Sequence, residues 1–145
     1  MTLEFSTAKC LVEQIAEFHQ ALRHVSMPDA GIAGRVAYRA LLRALDSQGP
    51  LRAAELASQL CIGESVLSRQ LAELVNRGLV LRSADPLDRR ATQLSLSEQG
   101  RAELAAVEQR NSERLAEALA DWDEAEAKQA IGLIERLSSK LAEFH

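Results

Sequence analysis

The 145-residue sequence has no long apolar run. Its hydrophobic stretches are a few residues each, far short of the roughly 20 a bilayer-crossing helix requires, so no membrane partner is expected. Cysteine is scarce: Cys10 and Cys61 fit neither metal-ligand spacing nor a dense disulfide framework. The three histidines are scattered, one of them the last residue, and make no metal site, so neither a metal nor a cofactor is expected. No nucleophile–base pair and no glycine-rich phosphate loop is present, which removes the usual starting points for an enzyme. The opening Met1–Phe5 has no basic region ahead of an apolar stretch, so the expectation is a cytoplasmic protein without a secretory signal. There are no internal repeats or low-complexity segments, and the length suits one domain with helical extensions.

Lysine is also rare, being confined to Lys9, Lys128 and Lys140. The net charge of −4 argues mildly against nucleic acid as an average, but its distribution argues otherwise. Residues 1–34 carry −2, residues 35–96 carry +3 and residues 97–145 carry −5. All nine basic residues of the middle segment are arginines. Arginine's planar fork suits bidentate phosphate and base-edge contacts better than lysine's point charge.

What is present is mostly helical periodicity. Ala8, Leu11, Val12, Ile15, Phe18, Leu22 and Val25 form one amphipathic stripe over residues 8–25. Met27–Gly31 breaks that helix, and a second runs from about Gly34 to Leu45 with Val36, Leu41, Leu42 and Leu45 inward. After the Gly49-Pro50 turn, residues 52–60 form a short helix, with Arg52 where a capping Ser or Thr is expected. Cys61-Ile62-Gly63 is the next turn, with Cys61 expected to pack and Gly63 to cap a helix over 64–77. Leu67, Leu71, Leu74 and Val75 are the buried stripe of that helix, and Gly78 ends it. Leu79–Ser83 and Thr92–Leu96 read as a two-stranded hairpin. Ser97 caps a long helix to about Leu119, Trp122-Asp123 marks a bend, and a final amphipathic helix covers 124–143.

The middle segment carries the most specific chemistry. On helix 64–77 the face opposite the leucines holds Ser65, Ser68, Arg69, Ala72 and Asn76, with Gln70 on its shoulder. A B-DNA major groove admits one helix; small hydroxyls allow close approach, Arg69 can grip guanine or phosphate, and Gln70 can match adenine. Glu64 opposes phosphate near the helix start, although it can accept from cytosine. The hairpin tip reads Asp85-Pro86-Leu87-Asp88-Arg89-Arg90. In extended geometry Asp88 and Arg90 share a side, so Asp88 can hold the Arg90 guanidinium for a narrow minor groove. Arg89, Arg77 and Arg82 are phosphate candidates. The alternative is a structural hairpin with a solvated ion pair and an ordinary polar helix surface.

Leu56-Ala57, Ser65–Leu71, Leu79–Arg82 and above all Asp88–Gly100 resemble the winged helix-turn-helix of MarR-family transcriptional regulators, with Ser97 where Thr is usual. The resemblance covers nearly the whole chain in element order, although the end helices match by position and amphipathicity more than by residue. It implies a mainly α fold with a small β-hairpin, in which N- and C-terminal dimerisation helices (residues 1–33 and 100–145) flank a DNA-binding region over 34–99. It further implies a homodimeric repressor on double-stranded DNA, with two recognition helices in successive major grooves of a pseudo-palindromic site and release by a small anionic aromatic ligand or by oxidation. Ser65, Ser68, Arg69 and Gln70 then fall at major-groove positions, and Asp88 with Arg90 at the wing tip. His19, Arg23, Tyr38 and Arg39 are candidates to line an effector pocket, against solvated helix faces as the alternative. Relatives that sense hydroperoxides pair a first-helix cysteine with tyrosines; Tyr38 is the single tyrosine here, so Cys10 is expected to be quiet and partly buried. The competing function is a winged-helix module that binds protein instead of DNA.

Overall fold

Leucine spacing builds the centre of the molecule. A computed structural model describes residues 2–26 and 37–144. Helix α1 spans Phe5–Ser26. The expected break at Met27–Gly31 and the expected helix start near Gly34, with Val36, lie outside the described residues. Helix α2 covers Ala37–Gln48, three residues beyond the expected Leu45. Gly49 follows with a φ of +77°, and its amide donates to the Leu45 carbonyl at 3.2 Å. Next come strand β1 (Leu51–Arg52), helix α3 (Ala53–Leu60) and helix α4 (Glu64–Asn76). Strands β2 (Val80–Ala84) and β3 (Thr92–Leu96) lead into helices α5 (Glu98–Ala118) and α6 (Glu124–Ala142).

The expected two-stranded hairpin is in fact part of a three-stranded antiparallel sheet, ordered β1-β3-β2. β1 pairs Leu51 with Leu94 and Arg52 with Gln93, while β2 runs from Val80 opposite Leu96 to Ala84 opposite Thr92. A two-residue strand has no alternation of its own, so periodicity gives no warning of it.

The core combines Leu41, Leu42 and Leu45 of α2, Leu56 and Ala57 of α3, and Leu67, Leu71 and Leu74 of α4 with Val80, Leu94, Leu96 and Leu104. Gly78, at φ +72°, ends α4 and lets the Leu79 amide reach the Leu74 carbonyl at 3.0 Å, which turns the chain into β2. The turn between α3 and α4 rests on Cys61, a non-glycine residue at φ +53°. Cys61 is exposed instead of packed, and Cys10 is exposed instead of partly buried. For Cys10 the reason is that α1 leaves most of its apolar stripe uncovered: Phe5, Val12 and Phe18 are 86%, 66% and 50% exposed. The chain comprises two compact units that meet at Arg114/Leu115 in sequence. In the second unit Asp123 caps α6, accepting from the Glu126 amide at 2.8 Å while its own amide donates to the Glu126 carboxylate at 2.9 Å. Nothing on α6 is buried, and Ile131, Leu133, Ile134 and Leu141 face outward. No helix among the described residues is long and apolar enough to cross a membrane.

Two joints lock α5 to the rest of the first unit. Ser97 Oγ donates toward the Gly78 and Leu79 carbonyls at 2.6 and 3.1 Å and accepts from the Gly100 amide at 2.9 Å, so one hydroxyl caps α5 and fastens it to the end of α4. Tyr38, 5% exposed, donates its hydroxyl to Glu103 Oε1 at 3.0 Å. Burial first, and then the Glu103 carboxylate, push the Tyr38 phenol above its ordinary 10.0.

Two outcomes are expected. A Cβ at Gly100 would collide with the Leu79 carbonyl and stand 2.6 Å from Leu96 Cδ1. Gly100→Ala should therefore destabilise the protein by about 1–3 kcal/mol, as overpacking does; an unchanged denaturant midpoint would show that the joint yields freely. Tyr38 keeps its proton more tightly when folded, so its stabilising contribution is complete below pH 10.0 and lost as pH rises through the elevated folded value. Because it is the single tyrosine, alkaline titration of the tyrosinate absorbance should give a midpoint above 10.0, falling in Glu103→Gln; a wild-type midpoint at or below 10.0 would contradict the buried hydrogen bond.

Candidate nucleic-acid interface

Burying Leu67, Leu71 and Leu74 turns the opposite side of α4 outward. Ser65, Ser68, Arg69, Ala72 and Asn76 are all exposed, as the spacing predicts. Val66 joins this face at 45% exposure, an apolar element that sequence reasoning passed over. Such a face can donate to base edges, grip phosphate and meet a thymine methyl group. Gly63 has no side chain to cap the helix, which leaves its first-turn amides toward solvent beside Glu64.

Gln70 corrects the expectation. It is 8% exposed, and its Oε1 is buried with no hydrogen-bond partner among the described residues. Its place three residues after Leu67 and four before Leu74 sets it within the buried stripe, not on the shoulder of the polar face. It is therefore not among the groups α4 offers to a groove.

The hairpin tip also differs in detail. Asp88 Oδ1 accepts from the backbone amide of Arg90 at 3.0 Å, and the Ala91 amide donates to the Asp88 carbonyl at 3.0 Å. Among the described residues no ion pair joins Asp88 to the Arg90 guanidinium, contrary to the expected side-chain pair. The expectation assumed an extended chain; residues 88–91 instead form a turn, in which an Asp two residues upstream meets the main chain. Arg82, Arg89 and Arg90 are exposed, and among the described residues no carboxylate lies within ion-pair range of them. Leu87, between Pro86 and Asp88, is 95% exposed at the tip.

Asp85 organises this loop. Its carboxylate is 4% exposed, and Oδ2 accepts from Arg52 Nε at 2.7 Å. Oδ1 accepts from the amides of Leu87 at 2.8 Å and Asp88 at 3.3 Å. The bond from the Arg52 guanidinium, followed by the one from the Leu87 amide, holds the Asp85 carboxyl below the usual carboxylate range. Along the chain Arg52 reads only as a poor helix cap, and Asp85 only as part of the hairpin tip. The Asp-Pro pair at the start of the loop is a turn signal, but nothing along the chain points to Arg52, 33 residues away, as its partner.

The remaining candidates are dispersed. Arg77, at the C-cap of α4, places Nη2 4.0 Å from Glu103, which also lies 3.9 Å from Arg110 and accepts from Tyr38. Arg39 and Arg43 converge on Glu108 Oε1 at 3.4 and 2.6 Å. His19 and Arg23 lie on exposed α1, whereas the Tyr38 hydroxyl donates to Glu103 and Arg39 to Glu108 on α5. Among the described residues there is no cluster of His, Cys, Asp or Glu suited to a metal ion.

The MarR family model matches residues 39–92, from α2 to the start of β3. YxaD of Bacillus subtilis (strain 168), described as an uncharacterized HTH-type transcriptional regulator, is 36% identical over 98 residues, covering 68% of each chain. Wild-type MarR of E. coli in its apo form superposes with a TM-score of 0.71 at 20% identity, over 94% of this chain and 98% of the other. Bordetella bronchiseptica BpsR, whose DNA binding is regulated by 6-hydroxynicotinic acid, superposes with a TM-score of 0.66 at 22% identity, over 95% and 98%. These two likenesses establish the winged-helix fold. The sequence match to YxaD and the family model over residues 39–92 place the chain in the MarR family of transcriptional regulators.

Proposed function

We propose that the protein is a ligand-responsive repressor that binds a pseudo-palindromic DNA site as a homodimer. The observation that carries this reading is the pairing, in one folded unit, of an outward polar face on α4 with a hairpin tip whose Arg89 and Arg90 have no carboxylate partner among the described residues. Ser65, Ser68 and Arg69 approach base edges in the major groove, with Val66 beside them for apolar contact. Arg90 enters the adjacent minor groove, where negative potential favours a guanidinium, and Arg77, Arg82 and Arg89 neutralise phosphates. Asp88 acts on Arg90 through its backbone amide, shaping the turn that presents it. The DNA-binding part covers residues 34–99.

The uncovered apolar stripes of α1 and α6 support dimerisation through residues 1–33 and 100–145, since monomeric proteins rarely leave such extended patches in water. A two-fold dimer sets two α4 helices about 34 Å apart, one turn of B-DNA. The effector is a small anionic aromatic compound, a reading supported by the 6-hydroxynicotinic acid of BpsR and by Arg39 and Arg43, which already hold a carboxylate. Such an anion competes with Glu108 for those arginines.

The test is a shift assay on the DNA upstream of the protein's own coding region, with unrelated DNA as control and with aromatic acids added in turn. Selective binding that a ligand releases is the expected result; equal, negligible binding to both DNAs points to a protein-interaction module. Light scattering should give a mass near twice 15.9 kDa, and a strict monomer would remove the two-fold arrangement. Arg90→Ala should cost about 1–3 kcal/mol of DNA affinity with the fold intact. Undiminished binding by that variant would take the wing tip out of the mechanism.

A further inference from the structure

We propose that Arg52 and Asp85 are a positioning pair that holds the wing at a fixed setting relative to the recognition helix, so that one protomer reads two grooves at once. This rests on the DNA-reading function above. The hairpin joins the rest of the fold at one end, through the core side chains of β2 and β3 and the two residue pairs between β1 and β3. Its far end, residues 85–91, carries the arginines but no core residue. A hairpin held only at its base is free to lean, and every degree of lean that DNA binding must remove costs affinity.

The Arg52–Asp85 contact supplies a second fixed point. Arg52 is both the end of β1 and the N-cap of α3, where its backbone amide donates to Glu55 at 2.9 Å. Helix α3 packs directly on α4. From this anchored backbone the Arg52 guanidinium reaches the buried Asp85 carboxylate at 2.7 Å. The same carboxylate receives the Leu87 and Asp88 amides, and the Asp85 amide donates to the Ala91 carbonyl at 3.0 Å, closing the loop. One side chain thus shapes the tip from inside and ties it to the helix-turn-helix from outside. Asp85 thus divides its carboxylate, Oδ1 serving two amides of the wing and Oδ2 the Arg52 guanidinium outside it. The charge-assisted bond between the loop and the start of α3 fixes the distance between the tip and the helix-turn-helix.

The experiment is a double-mutant cycle on the full chain, read as DNA affinity at constant salt. Asp85→Asn keeps an acceptor for the two amides but removes the charge that holds Arg52. It should weaken binding about ten-fold with an unchanged helical spectrum, and in an Arg90→Ala background the same replacement should add little, because the wing no longer contributes. Arg52→Gln should behave like Asp85→Asn, and Arg52→Lys should restore part of the loss. If Asp85→Asn does not fold, the surface change Arg52→Gln alone completes the cycle with Arg90→Ala. Wild-type affinity in folded Asp85→Asn or Arg52→Gln protein overturns the positioning role. So do losses that simply multiply with that of Arg90→Ala, since a general loss of stability acts regardless of the wing. A wild-type protein that binds no DNA would overturn the DNA-reading function, and this role with it.

Discussion

Burial of Leu67, Leu71 and Leu74 against α2, α3 and the sheet is the constraint from which the rest follows. Once three leucines on α4 are committed to the core, the helix cannot roll without exposing them, at about 1.5–3 kcal/mol for each side chain left in water. The opposite face is then held outward as rigidly as the core itself. The same constraint draws Gln70 inside, because helical geometry gives it the angular position of its leucine neighbours. A polar residue in a leucine stripe goes where the stripe goes, and its buried Oε1, without a partner among the described residues, marks the cost.

The placement of charge follows a second regularity. Carboxylates within the first unit are turned toward arginines and the tyrosine: Asp85 to Arg52, Glu103 to Tyr38 and Arg77, Glu108 to Arg39 and Arg43. The arginines at the tip, Arg89 and Arg90, have no such partner among the described residues. A chain of net charge −4 can still present a positive edge at the tip, since several of its carboxylates are turned toward arginines elsewhere and many others sit on α5 and α6, with Glu64 exposed at the start of α4. Arg77 lies between the two regimes, near enough to Glu103 to be drawn toward α5 and exposed enough to meet phosphate.

Legibility along the chain tracked the range of the interaction concerned. The leucine stripe of α4, the Gly63 cap, the left-handed Gly78 and the alternation of Thr92–Leu96 are local, and each appears where its residues put it. Ser97 as the cap of α5 was equally readable, but its grip on the Gly78 and Leu79 carbonyls was not, because it spans 19 and 18 residues. Strand β1 is too short to announce itself and exists because β3 offers it an edge. The Asp88–Arg90 side-chain pair failed for a local reason, the turn that replaces extended chain. Arg52 looked like a poor helix cap in one dimension; in three it is the partner of Asp85.

The sequence by itself determined the helices and the β2–β3 hairpin, which face of α4 is polar, where the arginines concentrate and which family the Asp88–Gly100 run resembles. All of these depend on neighbours within a helical turn or a strand repeat. The tertiary structure alone decided that Gln70 lies inside, that Asp85 joins the hairpin loop to Arg52, that Tyr38 and Arg39 are engaged by α5, and that apolar residues of α1 and of α6 are exposed. Each of those depends on residues brought together across tens of positions, or on surface that no part of the described chain covers, and one-dimensional spacing does not encode such distances.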